Sequence, residues 1–99
     1  MKNVIAIKMV GTEHLEHIDK LRWVEVDKPG GPARTAPQDW TRAQMYNFVV
    51  NNPRNAFAIS RTDNKYAFLE PVNGLHVQYV RTMPDSTRKD NLLSLPRFN

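Results

Sequence analysis

The chain has 99 residues, a formal net charge of +4 and no cysteine. This length predicts a single domain over residues 1–99, because typical domains contain roughly 100–150 residues. The lack of cysteine excludes disulfides and thiolate metal sites and fits a cytoplasmic protein. No apolar run approaches the roughly 20 residues that span a bilayer, and no small-residue cleavage site follows the N-terminal apolar run. Neither membrane association nor a signal peptide is expected.

The positive charge is concentrated in the second part of the sequence. Residues 1–40 contain six basic and six acidic side chains, whereas residues 41–99 contain eight basic and four acidic ones. Arginine outnumbers lysine eight to six, and its planar guanidinium donates two hydrogen bonds at once to a phosphate or carboxylate. The composition permits a nucleic-acid or acidic protein partner, although a charge of this size is also common on solvated surfaces.

Two strands are predicted at the start of the chain. VIAIKMV (4–10) is short and rich in β-branched residues, which favours a strand. LEHIDKLRWVEVD (15–27) also predicts a strand, but its alternation changes phase, with Leu21 and Trp23 on one face and Ile18 on the other. A bulge between Ile18 and Leu21 would reconcile the two phases, because one extra residue reverses the face of every later side chain.

A long loop and a short helix follow. KPGGPARTAPQD (28–39) contains three prolines and a Gly-Gly pair, which predicts a loop that is either functional or simply mobile. WTRAQMYNFVVNNP (40–53) predicts a helix, because Thr41 and Gln44 have the spacing of a capping box and Pro53 ends the segment. The helix has one apolar side, formed by Met45, Phe48 and Val49.

Three further strands are predicted from alternating apolar residues. They are AFAISRT (56–62), KYAFLE (65–70) and LHVQYVRT (75–82), and Asn73-Gly74 gives a turn between the last two. The order β-β-α-β-β-β predicts an α+β fold. We expect a curved antiparallel sheet of about five strands, able to close toward a small barrel, with one short helix over a face or an open end.

The C-terminal segment DNLLSLPRFN (90–99) is unusually apolar for a chain end. Asp90 is expected to cap a short turn that Pro96 ends, and the leucines of this segment are expected to insert into the open end of the sheet. Arg97 would then pair with Glu70 or Asp90. The alternative is an exposed tail that docks on a partner.

Four segments together resemble a small bacterial family known only as a domain of unknown function. They are HLEHIDKLRW (14–23), TRAQM (41–45), YVRTMPD (79–85) and DNLLSLPRF (90–98), and they span nearly the whole chain in the same order and spacing. The resemblance implies a small protein of bacteria and mobile elements and implies no activity. The 28–39 segment is longer than is usual in this family.

The sequence offers little support for a metal site or for catalysis. His14 and His17 lie among Glu13, Glu16 and Asp19, but histidines three apart point to opposite faces of a strand, so a structural role is favoured over metal binding. No cofactor is expected. No nucleophile with an adjacent base and no Gly-rich phosphate loop is recognisable, so a protein that is not an enzyme is expected. If it were an enzyme, the first candidates would be His17, Asp19, Tyr79 and Asp90.

Macromolecular binding is the favoured function. We expect a non-catalytic binding or inhibitor protein, of the kind that phages and mobile elements encode, that docks on a nucleic-acid-handling protein complex. By analogy of size and charge alone, an anti-CRISPR protein is an example. The alternative is direct nucleic-acid binding through phosphate contacts, with rings stacking on bases, although the alternation places those rings toward the core. The expected binding residues are Arg34, Arg61, Lys65, Arg81, Arg88 and Lys89.

Overall fold

A computed structural model describes residues 1–61, 64–83 and 91–99 of the chain. Its strands are β1 (Lys2–Met9), β2 (Ile18–Glu25), β3 (Gln38–Thr41), β4 (Ala56–Ile59), β5 (Tyr66–Asn73) and β6 (Gln78–Thr82), its helix α1 is Arg42–Asn51, and short 3-10 helices lie at Leu15–His17 and Asn91–Ser94. The strands form one sheet in the order β3-β2-β1-β4-β5-β6. The prediction of an α+β fold with one short helix is confirmed for the described residues.

The sheet differs from the prediction in being mixed and open. β1 and β4 run parallel, with Lys2 beside Ala56, because the chain crosses from one side of β1 to the other through α1. The sheet does not close into the small barrel that the sequence allowed, since β3 and β6 remain as separate edges. Instead α1 packs against β2, β3, β5 and β6 and fills the space between the two sides of the curved sheet.

The sixth strand, β3, comes from residues that the sequence assigned to the end of the loop and the start of the helix. Asp39 lies directly opposite Arg22 of β2, and the Arg22 Nε donates to Asp39 Oδ1 at 2.8 Å. This hydrogen bond holds the pKa of Asp39 below its usual range. The sequence did not predict this strand, because the composition of the Pro-rich segment is that of a loop. Cross-strand pairing with β2 nevertheless holds the last residues of the segment in the sheet.

The predicted bulge in β2 is confirmed. Lys8 pairs with Lys20 and Met9 pairs with Ile18, so that Asp19 is the extra residue. The bulge turns Ile18 to the same side of the sheet as Leu21 and Trp23. It also leaves Asp19 half-buried at the start of the strand.

The two faces of the sheet have separate apolar clusters. Alternate residues of β4 show the division, since Ala56 and Ala58 pack beneath α1 whereas Phe57 and Ile59 belong to the opposite cluster. We call the α1 side the inner face and the opposite side the outer face. The buried residues of the inner face include Val4, Ile7, Ile18, Leu21, Met45, Val49, Leu69, Val80 and Leu92.

The helix begins with the predicted capping box. The Gln44 N–H donates to Thr41 Oγ1 at 3.2 Å, and the Thr41 N–H donates to Gln44 Oε1 at 2.9 Å. Met45 and Val49 are buried beneath the helix, and Phe48 packs against the same cluster. These contacts confirm the predicted apolar side of α1.

Leucines of the C-terminal segment are packed into the core, and the residues after them pair with β1 instead of forming an exposed tail. Leu92 has no exposed surface and Leu95 is 7% exposed. The Ile7 N–H donates to the Pro96 carbonyl at 2.9 Å, and the Phe98 N–H donates to the Ile7 carbonyl at 3.0 Å. The segment therefore adds a short parallel pairing to β1 beyond the point where β4 leaves it. The predicted Asp90 cap lies outside the described residues.

Arg97 does not pair with Glu70, the first of its two predicted partners, and the second, Asp90, lies outside the described residues. The Arg97 guanidinium forms an ion pair with Glu13, in the turn after β1, and donates to the Leu93 carbonyl at 3.0 Å. Glu70 is unavailable because it lies opposite Arg81 on β6 and pairs with it instead. The ion pair thus connects the C-terminal segment to the turn after β1.

The Lys2 ammonium is enclosed by aromatic rings and a carboxylate. Its Nζ lies 4.0 Å from the centroid of Trp23, 5.3 Å from Trp40 and 4.9 Å from Phe48. Glu25 Oε1 accepts from the same Nζ at 2.8 Å. Cation–π attraction and a charge-assisted hydrogen bond together anchor the start of β1 to β2, β3 and α1.

No helix in the described ranges 1–61, 64–83 and 91–99 combines the length and apolar character needed to cross a membrane.

We expect Leu92→Ala to destabilise the protein by about 2–5 kcal/mol, because it removes a fully buried side chain and leaves a cavity under the sheet. Leu75→Ala is the matched control, since Leu75 is 98% exposed and its truncation should change stability by no more than about 0.5 kcal/mol. Chemical denaturation measures both. Equal stability of the two variants would show that the C-terminal segment does not seal the core.

We expect the stability of the protein to fall at acidic pH partly through Glu25. The hydrogen bonds from Lys2 and from the amino group of Met1 lower the pKa of Glu25 in the folded protein. The carboxylate therefore stabilises the fold above the pKa of an unfolded glutamate, about 4.3, and this stabilisation is lost as the pH falls through the lower folded pKa. Glu25→Gln should flatten the acid limb of a stability–pH curve. An unchanged acid limb would contradict this role.

Candidate functional site

Two of the predicted binding residues are held in local ion pairs. Arg34 Nη1 donates to Asp27 Oδ2 at 2.7 Å, and Arg81 Nε donates to Glu70 Oε2 at 2.6 Å. Both pairs are accessible to solvent, so each arginine could exchange its partner at little cost. Their charge is nevertheless already compensated in the free protein.

Arg61 and Lys65, two further predicted residues, do not share a surface with Arg34. Arg61 and Lys65 lie together in the β4–β5 turn, where the Ser60 N–H donates to the Lys65 carbonyl at 2.8 Å. Arg34 lies at the other end of the sheet, because its N–H donates to the carbonyl of Glu25 at the end of β2. Arg88 and Lys89 lie outside the described residues.

A half-exposed ring beside these cations is the most prominent feature of the outer face. Tyr66 is 49% exposed, and its ring makes edge contacts with Phe57 at 5.8 Å and Phe68 at 5.5 Å. The Arg54 guanidinium lies over the Phe68 ring at 5.8 Å. We call Arg54, Arg61, Lys65, Tyr66 and Phe68 the outer-face patch. The sequence placed these rings in the core, and Tyr66 departs from that expectation.

A small cavity borders the outer-face patch where β4 separates from β1. It has a volume of about 210 Å³, and Ile5, Ile59 and Arg61 line it together with Leu95 and Pro96 of the C-terminal segment. β4 pairs with β1 only as far as Val4 and Ala58. The arrival of the C-terminal segment therefore shapes the surface on which Arg61 lies.

A second, larger cavity lies where the curved sheet fails to close. We call it the seam cleft. It has a volume of about 360 Å³ and lies between the end of β1, the start of β2, the first turn of α1 and the β5–β6 turn. Its lining residues are Val10, Glu16, His17, Asp19, Arg42, His76 and Val77.

The ring of His17 is oriented by the turn after β1. Its Nδ1 lies 3.0 Å from Thr12 Oγ1 and 3.2 Å from the Thr12 carbonyl oxygen. Because a carbonyl only accepts, we assign the proton to Nδ1, which leaves Nε2 as an acceptor in the neutral ring. Gly11 has a φ of 96°, and this left-handed conformation lets the turn fold back onto His17.

The charged groups of the seam cleft do not neutralise one another. Arg42 donates to the backbone carbonyl of Glu16 rather than to a carboxylate. Within the described part of the chain, the carboxylates of Glu16 and Asp19 form no ion pair. Two unpaired carboxylates and one guanidinium therefore share a cavity with two imidazoles.

The β5–β6 turn holds its wall of the cleft in a fixed shape. The Gly74 N–H donates to the Val77 carbonyl at 3.1 Å. A Cβ at Gly74 would lie 2.7 Å from that carbonyl oxygen and 3.0 Å from the Tyr79 ring. Only glycine fits this close approach, which places His76 and Val77 at the cleft and leaves Leu75 outside it. The sequence had placed Leu75 in the strand, where it would have shared a face with Val77.

The ring of His14 lies against the ring of His17. No group of three or more metal-ligating side chains converges among the residues that the structure describes. His14 is exposed and contacts His17 ring edge to ring face, with centroids 5.8 Å apart.

The sequence indicated His17 and Asp19 as candidates, but it did not indicate Arg42 and His76, which also line the seam cleft. Arg42 lies at the start of α1, and His76 lies in the β5–β6 turn, more than 50 residues further along the chain than His17. No local spacing connects them, because only the curvature of the sheet brings the β5–β6 turn to the start of β2. Arg54 was missed for a similar reason, since its contact with Phe68 joins the segment before β4 to the neighbouring strand β5.

Comparison with known proteins gives a family without an activity. Searches of curated proteins and of solved structures find no match. A family model described as "Protein of unknown function (DUF3892)" matches residues 3–96, which include the resembling segments named above except for the last two residues of DNLLSLPRF. Since the match covers nearly the whole chain, the protein belongs to the DUF3892 family of unknown function.

Proposed function

We propose that the protein is a non-catalytic binding or inhibitor protein that docks on a nucleic-acid-handling protein complex through the outer-face patch. The observation that carries the proposal is the half-exposed ring of Tyr66 at the start of β5, directly after the turn that contains Arg61 and Lys65. Tyrosine and arginine are the residue types that most often dominate the energy of a protein interface. Tyr66 also rests on buried and half-buried rings, so little conformational freedom is lost when a partner covers it.

The neighbouring cavity adds shape to this surface. Ile5 and Ile59 form its apolar walls and Arg61 lies at its edge. A partner side chain could fill this cavity while an acidic group pairs with Arg61. Such a combination of an apolar pocket and a flanking cation is typical of an interface centre.

Direct nucleic-acid binding is the second candidate, and the same patch favours it through its cations. Arg61 and Lys65 lie in the turn before Tyr66, whose ring could stack on a base, and Arg54 lies over the ring of Phe68. Sheet surfaces that bind single strands usually present two or three rings for stacking. Of the three described rings that contact one another here, Phe57 is fully buried and Phe68 half-buried, so only Tyr66 presents a half-exposed ring. This difference favours the protein partner.

The test is quantitative affinity purification of the tagged protein from its native host. We expect a stoichiometric protein partner that is retained after nuclease treatment. Tyr66→Ala and Arg61→Glu should each weaken its binding at least about tenfold, which corresponds to about 1.4 kcal/mol. Arg34→Glu is the matched control, because it reverses a charge at the opposite end of the sheet. Melting curves show that each variant is folded.

Three outcomes separate the candidates. Retention of the partner by both patch variants would contradict the outer-face patch as the interface. Loss of the partner after nuclease treatment would favour nucleic acid as the ligand. In that case the purified protein should bind a single-stranded oligonucleotide with an affinity that falls steeply as salt rises, and Arg61→Ala should reduce this dependence.

A further inference from the structure

We propose that the seam cleft binds a small zwitterion of the α-amino-acid class, a free compound that carries both an ammonium and a carboxylate group. The cleft is separate from the outer-face patch and shares no residue with it. Its volume of about 360 Å³ lies within the range of small-molecule sites, roughly 300–1,000 Å³. The inference therefore does not depend on the proposed docking function.

The charges that line the cleft select the class of ligand. A simple anion would meet the unpaired carboxylates of Glu16 and Asp19, and a simple cation would meet Arg42. A ligand with both charges can satisfy all three groups at once. Half-buried charged side chains that face one cavity without an oppositely charged protein partner are more typical of a binding site than of a structural ion pair.

The residues provide a donor for the carboxylate and acceptors for the ammonium. Arg42 uses Nη1 on the Glu16 carbonyl, and its guanidinium has further N–H groups that can donate to a carboxylate. Asp19 provides an acceptor for the ammonium. His17 provides a second one through Nε2, since its Nδ1 is held by Thr12.

Two apolar walls indicate an aliphatic side chain on the ligand. Val10 is 58% exposed at the mouth of the cleft, and Val77 is half-buried on the opposite wall. A ligand side chain between them would remove apolar surface from water. Leucine is therefore a suitable probe, because its charged end and its aliphatic end match the two parts of the cleft.

The experiment is a titration of ¹⁵N-labelled protein with L-leucine, N-acetyl-L-leucine and L-leucinamide, followed by amide chemical shifts. We expect saturable shifts at Gly11, His17, His76 and Val77 with leucine, at concentrations up to about 10 mM. The acetylated and amidated compounds should bind at least about tenfold more weakly, because each lacks one of the two charges. Equal binding of either derivative would overturn the proposal, as would the absence of saturable shifts with leucine.

Variants locate the site. Asp19→Asn keeps the shape of the side chain and should weaken leucine binding about tenfold through loss of the charge. Asp27→Asn is the matched control, because Asp27 pairs with Arg34 away from the cleft, and it should leave leucine binding unchanged. Arg42→Lys is a second test of the site, provided that its melting curve shows a folded protein. If Arg42→Lys does not fold, Asp19→Asn alone tests the site. Equal affinity of Asp19→Asn and Asp27→Asn would contradict the assignment.

The two proposals fail separately. Tyr66→Ala removes the ring of the outer-face patch and should leave the leucine titration unchanged. Asp19→Asn should in turn leave recovery of the macromolecular partner unchanged.

Discussion

β1 lies inside the sheet, so the backbone groups on both of its edges need hydrogen-bonding partners. On one edge β2 pairs along its whole length. On the other edge β4 pairs only from Lys2 to Val4, and the C-terminal segment then takes over at Ile7. The fold therefore depends on residues from the far end of the chain to complete a strand at its start. Leu92 and Leu95, which precede the paired residues, are buried in the inner-face core.

Both candidate sites lie where the neighbours of β1 separate. The cavity beside the outer-face patch forms between β4 and the incoming C-terminal segment, with Leu95 and Pro96 in its wall. The seam cleft begins at Val10, directly after β1, and the turn that orients His17 is tied to the C-terminus through Glu13 and Arg97. Completion of β1 thus shapes the two surfaces, although they use different residues.

Local signals were sufficient for the features that depend on neighbouring residues. The capping box at Thr41, the bulge near Asp19 and the buried C-terminal leucines were all predictable, because each follows from spacing or from apolar character. β3 and the parallel pairing of β4 were not, since they depend on which strands meet across the sheet. The same limit applies to the site: Asp19 was recognisable as a polar residue in a strand, whereas its proximity to Arg42 and His76 required the curvature of the sheet.

Amide hydrogen exchange at Ile7 and Phe98 tests the central claim most directly, because these two N–H groups donate the hydrogen bonds that join the C-terminal segment to β1. If that segment completes the strand, both amides should exchange as slowly as those of the β1–β2 pairing and only when the whole domain unfolds. Exchange at the rate of an unstructured peptide, with the β1–β2 amides still protected, would contradict the account.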